Sequence, residues 1–205
     1  MSKSGELSQG QLRILKAVAT LLENPANRIT VQRIAQEIHV TDGAIYRHYK
    51  SKDEIFDSIA SYMEANLLGP LNRAQGQFSD AGPQQTAKRL ELVFEQYMAF
   101  LEGHPGLARL MLGGGSTEAA PMAERLKMLN AKMRAQIAQI LKFGEPVNAL
   151  ARGVTAEQAT EVYYGLLVAT AISYAFGLPQ VPAAQKWAVF VHACLRGESG
   201  EGSLG

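Results

Sequence analysis

Apolar residues recur at spacings of three and four along almost the whole of this 205-residue chain, while the strict alternation of a half-buried strand is nearly absent. That periodicity confines the chain to helices packed on helices, punctuated by Gly and Pro. Leu12, Leu15, Val18 or Ala19, and Leu22 mark a first amphipathic helix, which Asn24-Pro25-Ala26-Asn27 ends. Val31, Ile34, Ala35 and Ile38 form a second stripe, with Thr30 placed to cap its first turn. A break at His39-Val40-Thr41-Asp42 leads to a brief third helix around 43–48, and Ser51-Lys-Asp-Glu54 has the capping-box pattern that opens a fourth. Beyond Gly69-Pro70 longer helices are expected, separated by 76–84, Gly103-His-Pro-Gly106, 113–121, Gly144-Glu-Pro146 and 177–182. The predicted fold is all-α: a small N-terminal helical domain over 1–52, a larger α-domain over 53–196, and a glycine-rich tail over 197–205 that frays.

Composition narrows the function classes. Apolar residues make up 47% of the chain and charged residues 19%, enough to build a substantial core. The net charge is +1, so any charged partner must be met by a local patch rather than a global field. Cys194 is the single cysteine, which excludes an internal disulfide and a Cys-rich zinc site and fits a reducing cytoplasm. His39, His48, His104 and His192 lack the helical spacing of a metal pair, so no metal is expected. Gly113-Gly-Gly-Ser-Thr117 lacks the lysine and preceding strand of a phosphate loop and reads as a connection. No nucleophile, base and acid stand at a recognisable spacing; an enzyme is not expected, nor a cofactor. The opening Met1-Ser-Lys-Ser-Gly-Glu-Leu-Ser8 has no apolar run of signal-peptide type. Residues 162–185 carry no charge, yet Gly165, Thr170, Ser173 and Gly177 interrupt them, Pro179, Gln180 and Pro182 stop them, and no basic cluster flanks them. A buried helix or a protein interface is expected there, not a membrane span.

The informative stretch is Thr30 to Lys52. Two short helices joined by a tight turn would pack Ile34, Ala35, Ile38, Val40, Ile45 and Tyr49 against the first helix. The outer face of the second short helix is left with Asp42, Gly43, Ala44, Tyr46, Arg47 and His48. Such a helix fits a DNA major groove about 12 Å wide, where side chains near its N-terminus reach base edges. From Arg28 to Lys52 five basic residues stand against two acidic ones, a local +3 suited to phosphates.

Ile14 to Leu22, followed by Ile29-Thr30 to Lys52 with Ala-Ile-Tyr-Arg-His-Tyr-Lys-Ser-Lys-Asp-Glu-Ile-Phe56, resembles the DNA-binding domain of the TetR family over about residues 12–59. The resemblance implies a three-helix head on an α-helical body, working as a homodimer on palindromic double-stranded DNA, most often as a repressor in the cytoplasm at the nucleoid. Positions matching the family's base readers are Gln32, Asp42, Gly43 and Ala44, and Arg47 suits either role. Positions matching its phosphate clamps are Thr30, Tyr46, His48 and Lys52. Two departures stand out: His39 occupies the turn position usually filled by glycine and would need positive φ, and Asp42 repels phosphate although it can accept from a cytosine amino group.

The second domain carries its own pattern. Gly165, Ala169, Ser173 and Gly177 recur every fourth residue, lining one helical face with small side chains that let another helix approach. Trp187, Phe190, Val191 and Cys194 form an apolar stripe on the next helix. Two readings are open for them: a core packed within the chain, or a dimer seam that sets two reading heads one DNA turn apart. For the rest of this domain two partners are open. Met98, Phe100, Met111, Met122, Met128 and Tyr163 could line a pocket for a small apolar ligand and equally serve as ordinary core. The block Phe100-Leu-Glu-Gly-His-Pro-Gly-Leu-Ala-Arg-Leu110 with Ala123-Glu-Arg-Leu126 resembles the nucleoid-occlusion branch of the same family, which couples DNA binding to blocking the division protein FtsZ. Gly103 replaces that branch's arginine, so its partner contacts do not carry over.

Overall fold

A computed structural model describes residues 7–75, 82–112 and 120–196. These residues form nine α-helices: α1 (Gln9–Glu23), α2 (Val31–Glu37), α3 (Asp42–Tyr46), α4 (Lys52–Gln75), α5 (Pro83–Gly103), α6 (Pro105–Met111), α7 (Ala120–Gly144), α8 (Ala156–Phe176) and α9 (Ala183–Cys194). Among the described residues the only β-type pairing is an isolated antiparallel bridge between Leu150 and Leu195. The all-α expectation holds. The glycine loop at 113–117 and the tail at 197–205 lie outside the described residues.

Two compact units emerge, one from residues up to 65 with 101–128 and 171–178, the other from 66–100, 129–170 and 179 onward. In the first, α1 starts earlier than its apolar stripe suggests, because Ser8 and Gln11 close a reciprocal capping box: Gln11 N–H donates to Ser8 Oγ at 3.2 Å and Ser8 N–H to Gln11 Oε1 at 3.0 Å. Ile14, Leu15, Val18, Leu21 and Leu22 of α1 are buried, as are Ile34, Ala35, Ile45 and Tyr49. The expected break at Gly103-His-Pro-Gly106 narrows to one residue: α5 ends at Gly103, His104 is the N-cap of α6, and Pro105 is its first residue, where a missing N–H costs nothing. Gly106 then lies so close to α1 that a Cβ would fall on the carbonyl oxygen of Ala19 and 3.0 Å from the Glu23 nitrogen. Gly69-Pro70, read from sequence as a change of grammar, lies inside α4; Leu67, Leu71 and Ala74 are buried on either side, so the apolar stripe keeps register through the proline.

The second unit is centred on aromatic rings. Tyr163 of α8 packs edge-on to Phe190 of α9 at 5.0 Å between centroids, and Trp187 lies 6.3 Å from Phe94 of α5 in a stacked arrangement. Buried hydroxyls find backbone acceptors: Tyr163 donates to Leu90 O at 2.7 Å and Tyr97 to Leu167 O at 3.1 Å. Burial pushes both phenols well above their ordinary range. Lys186 Nζ donates to Thr170 Oγ1 at 3.1 Å, which with the Tyr163–Phe190 contact sets α9 antiparallel to α8.

Candidate nucleic-acid interface

The exposed α2–α3 face is built first by backbone chemistry at the two ends of α2. Thr30, in extended conformation, accepts from Arg33 N–H through Oγ1 at 3.2 Å, the N-cap expected from sequence. At the other end Val40 N–H reaches back to Ala35 O at 2.9 Å and His39 N–H to Gln36 O at 3.1 Å. This is a Schellman turn, and its left-handed residue is His39 with φ 55°. The chain therefore turns sharply after α2 with a non-glycine residue in the strained position, as the resemblance implied. Arg13 of α1 donates to Ile38 O at 2.6 Å, placing a cation on the open carbonyl end of α2.

The turn delivers α3 with Ile45 buried and its other side open. Asp42, Gly43, Arg47 and His48 are exposed, Ala44 is half-buried, and Tyr46 is 53% exposed. Gln32 is exposed on α2. Tyr49, whose spacing suggested core packing, is buried, with its hydroxyl 2.9 Å from Ser58 Oγ and its phenol raised by burial. Behind it half of the predicted capping box opens α4: Glu54 N–H donates to Ser51 Oγ at 3.2 Å, while the Glu54 carboxylate accepts from Lys50 N–H, one residue before the cap, at 2.5 Å. Lys52 is the first residue of α4, its ammonium 5.8 Å from the centroid of the Phe56 ring.

Two of the five basic residues near this face have their positions tied locally. Arg33 Nη2 donates to Asn27 Oδ1 at 2.8 Å, and Lys52 lies over Phe56. Thr30 is bound through its lone pair only, so its hydroxyl proton is still available to an anionic oxygen. Three contributors escape the sequence reading. Arg13 lies twenty-five residues from the carbonyl it holds. Gly10 lies against the His48 ring. Ser8-Gln-Gly-Gln11 carried the capping-box signal that starts α1.

The second set of expected residues divides. Gly165 and Ala169 are exposed on α8, and Ser173 is half-buried. Gly177 follows the end of α8 at φ 63°, so it stops the helix rather than continuing its small face. The stripe on α9 turns inward. Phe190 and Cys194 are 1% and 3% exposed, Trp187 and Val191 half-buried, because Phe94 and Tyr163 offer aromatic partners within the same unit. Burial also raises the Cys194 thiol. The outward face of α9 is instead Ala184, Ala188, Val189, His192 and Ala193, with Val189 71% exposed. Of the residues expected to line a ligand pocket, Met98, Phe100, Met111, Met122 and Tyr163 are buried, whereas Met128 is exposed.

Comparison with known proteins follows this geometry closely. Residues 14–59 match the family model described as bacterial regulatory proteins, tetR family. Over these residues the chain is similar to the DNA-binding domain of that family. Nucleoid occlusion factor SlmA of Vibrio vulnificus is 34% identical over 132 residues, covering 63% of this chain and 65% of that protein. The factor of the same name from Shewanella baltica is 34% identical over 131 residues, with 63% and 64% covered. The chain thus matches just under two thirds of the length of these relatives. Among solved structures, a ketosteroid transcriptional regulator of Mycobacterium tuberculosis superposes with a TM-score of 0.71 at 17% identity, covering 96% of this chain and all of that one. NalD, the secondary repressor of a multidrug efflux pump in Pseudomonas aeruginosa, gives 0.67 at 18% identity with 93% and 99% covered. These structural likenesses establish the fold. Among the described residues no helix is long and apolar enough to cross a membrane.

Proposed function

We propose that this chain is a TetR-family protein, a homodimeric, sequence-specific DNA binder that acts as a transcriptional regulator, with repression as its effect. One observation carries the reading: the α3 face from Asp42 to His48 stands in solvent, held by a capped α2 and a left-handed turn at His39. In this reading residues 1–52 are the head, 53–196 the body and 197–205 a tail. Gln32, Asp42, Gly43, Ala44 and Arg47 meet base edges; Thr30, Tyr46, His48 and Lys52 meet phosphates. Two such heads on a two-fold axis read a palindrome, and on this reading the protein works at the nucleoid in the cytoplasm. The dimer forms through the outward faces of α8 and α9, where Val162, Gly165 and Ala169 on one helix and Ala188 and Val189 on the other present small or apolar side chains to solvent. Selection of genomic fragments with the purified protein tests the reading. One self-complementary site beside the encoding gene supports a regulator; no enrichment over bulk DNA contradicts it.

A second reading is favoured by the two relatives named as nucleoid occlusion factors. In it, DNA binding is coupled to inhibition of the division protein FtsZ. Many sites scattered over a chromosome, with retention of the protein on an immobilised FtsZ tail, support this reading over the first. A small apolar effector of the body is tested separately by thermal melts against a ligand panel. An effector that loosens DNA must shift the melt and prefer the unbound dimer.

A further inference from the structure

We infer that Gly10 is a positioning residue for His48, and through it helps set how firmly this chain grips a DNA backbone; the inference rests on the reading that the 42–48 face meets DNA. Gly10 is the second residue of α1, just inside the Ser8–Gln11 capping box. A Cβ placed on it would run into Cε1 and Nε2 of the His48 imidazole and lie 3.2 Å from Nδ1. The ring therefore rests directly on the bare Cα of α1. No left-handed backbone conformation at Gly10 calls for a glycine. Within a helix glycine is the poorer choice beside alanine. What glycine supplies here is space.

The consequence is orientational. His48 follows the end of α3, its N–H donating to Ile45 O at 2.9 Å, and it is otherwise exposed to solvent. Contact with α1 on one side removes rotamers that a free surface imidazole would explore, so fewer are lost when the ring N–H donates to a phosphate. Any side chain at Gly10 evicts the ring from this seat. Because the obstructing atoms belong to the far end of a side chain that can swing away, Gly10→Ala should fold normally while leaving His48 misplaced.

The test is a double-mutant cycle on the full-length protein with a self-complementary duplex taken from the genomic selection, read by fluorescence anisotropy, with thermal melts on every variant. His48→Ala is expected to weaken binding about fivefold to tenfold. Gly10→Ala should lose a comparable factor in the parent but less than twofold when His48 is already alanine. In that background the melting temperature should rise by a few degrees, as helix propensity alone dictates. Equal losses in both backgrounds, or parental affinity for Gly10→Ala, would overturn the inference. The His48 imidazole resonance gives a readout independent of DNA: it should shift on Gly10→Ala. An unmoved resonance rejects the packing claim, whereas a parent protein that binds no duplex while the resonance shifts rejects the functional reading alone.

Discussion

The head and the aromatic centre of the body present opposite uses of the same short apolar stripes. In α2 and α3 the stripe of Ile34, Ala35 and Ile45 is buried so that a polar face is left in solvent at a defined angle. In α9 the stripe of Trp187, Phe190 and Cys194 is turned against Phe94 and Tyr163 of the same unit, and the face left outside carries small and apolar side chains. Both helices have one buried side. What differs is the chemistry of the exposed side, polar with Gln32, Arg33, Glu37, Asp42, Arg47 and His48 in one case and mostly small or apolar in the other; on the proposed reading the first meets DNA and the second meets protein.

Breaking the body should cost stability and breaking the head should cost recognition. The largest effect is expected from Phe190→Ala, which removes a ring in contact with Tyr163 and Trp187 and should cost about 3–5 kcal/mol in urea unfolding. Gly106→Ala comes next. Its Cβ meets the backbone of Ala19, which cannot swing aside, so overpacking of about 1–3 kcal/mol should lower the melting temperature despite alanine's better helix propensity. Arg47→Ala should reverse the balance: about 0.5 kcal/mol or less in stability, with duplex affinity down about tenfold. The smallest change is His39→Gly, which relieves a left-handed residue at φ 55° and should raise the urea midpoint by an equivalent of about 0.5–1 kcal/mol.

Local chemistry was readable in advance and non-local contacts were not. The Thr30 cap and the Ser51 cap each involve residues three positions apart, so their residue types announce them, whereas the positive φ at His39 was legible only through the family's turn position, because histidine does not announce it. Gly106 looked like loop punctuation because its reason for being glycine is Ala19, far away in sequence. Pro70 looked like a boundary, yet the buried residues flanking it hold α4 together. The α9 stripe was legible as apolar, but whether it faced its own core or a second copy was not, because periodicity shows that a helix has a buried side without showing what buries it; Phe190 and Cys194 face the core. Gly177 fitted a four-residue repeat by number alone; its positive φ puts it after the helix end.

The salt dependence of duplex binding bears most directly on the central claim, that the open face of α3 and its flanking cations engage a DNA backbone twice per dimer. Titrating the selected duplex from low to moderate salt should give a log-affinity slope near about −7 for about eight phosphate contacts, flattened by about two for Lys52→Ala, which removes one contact from each head. A slope near zero, or one that Lys52→Ala leaves unchanged, would contradict the account.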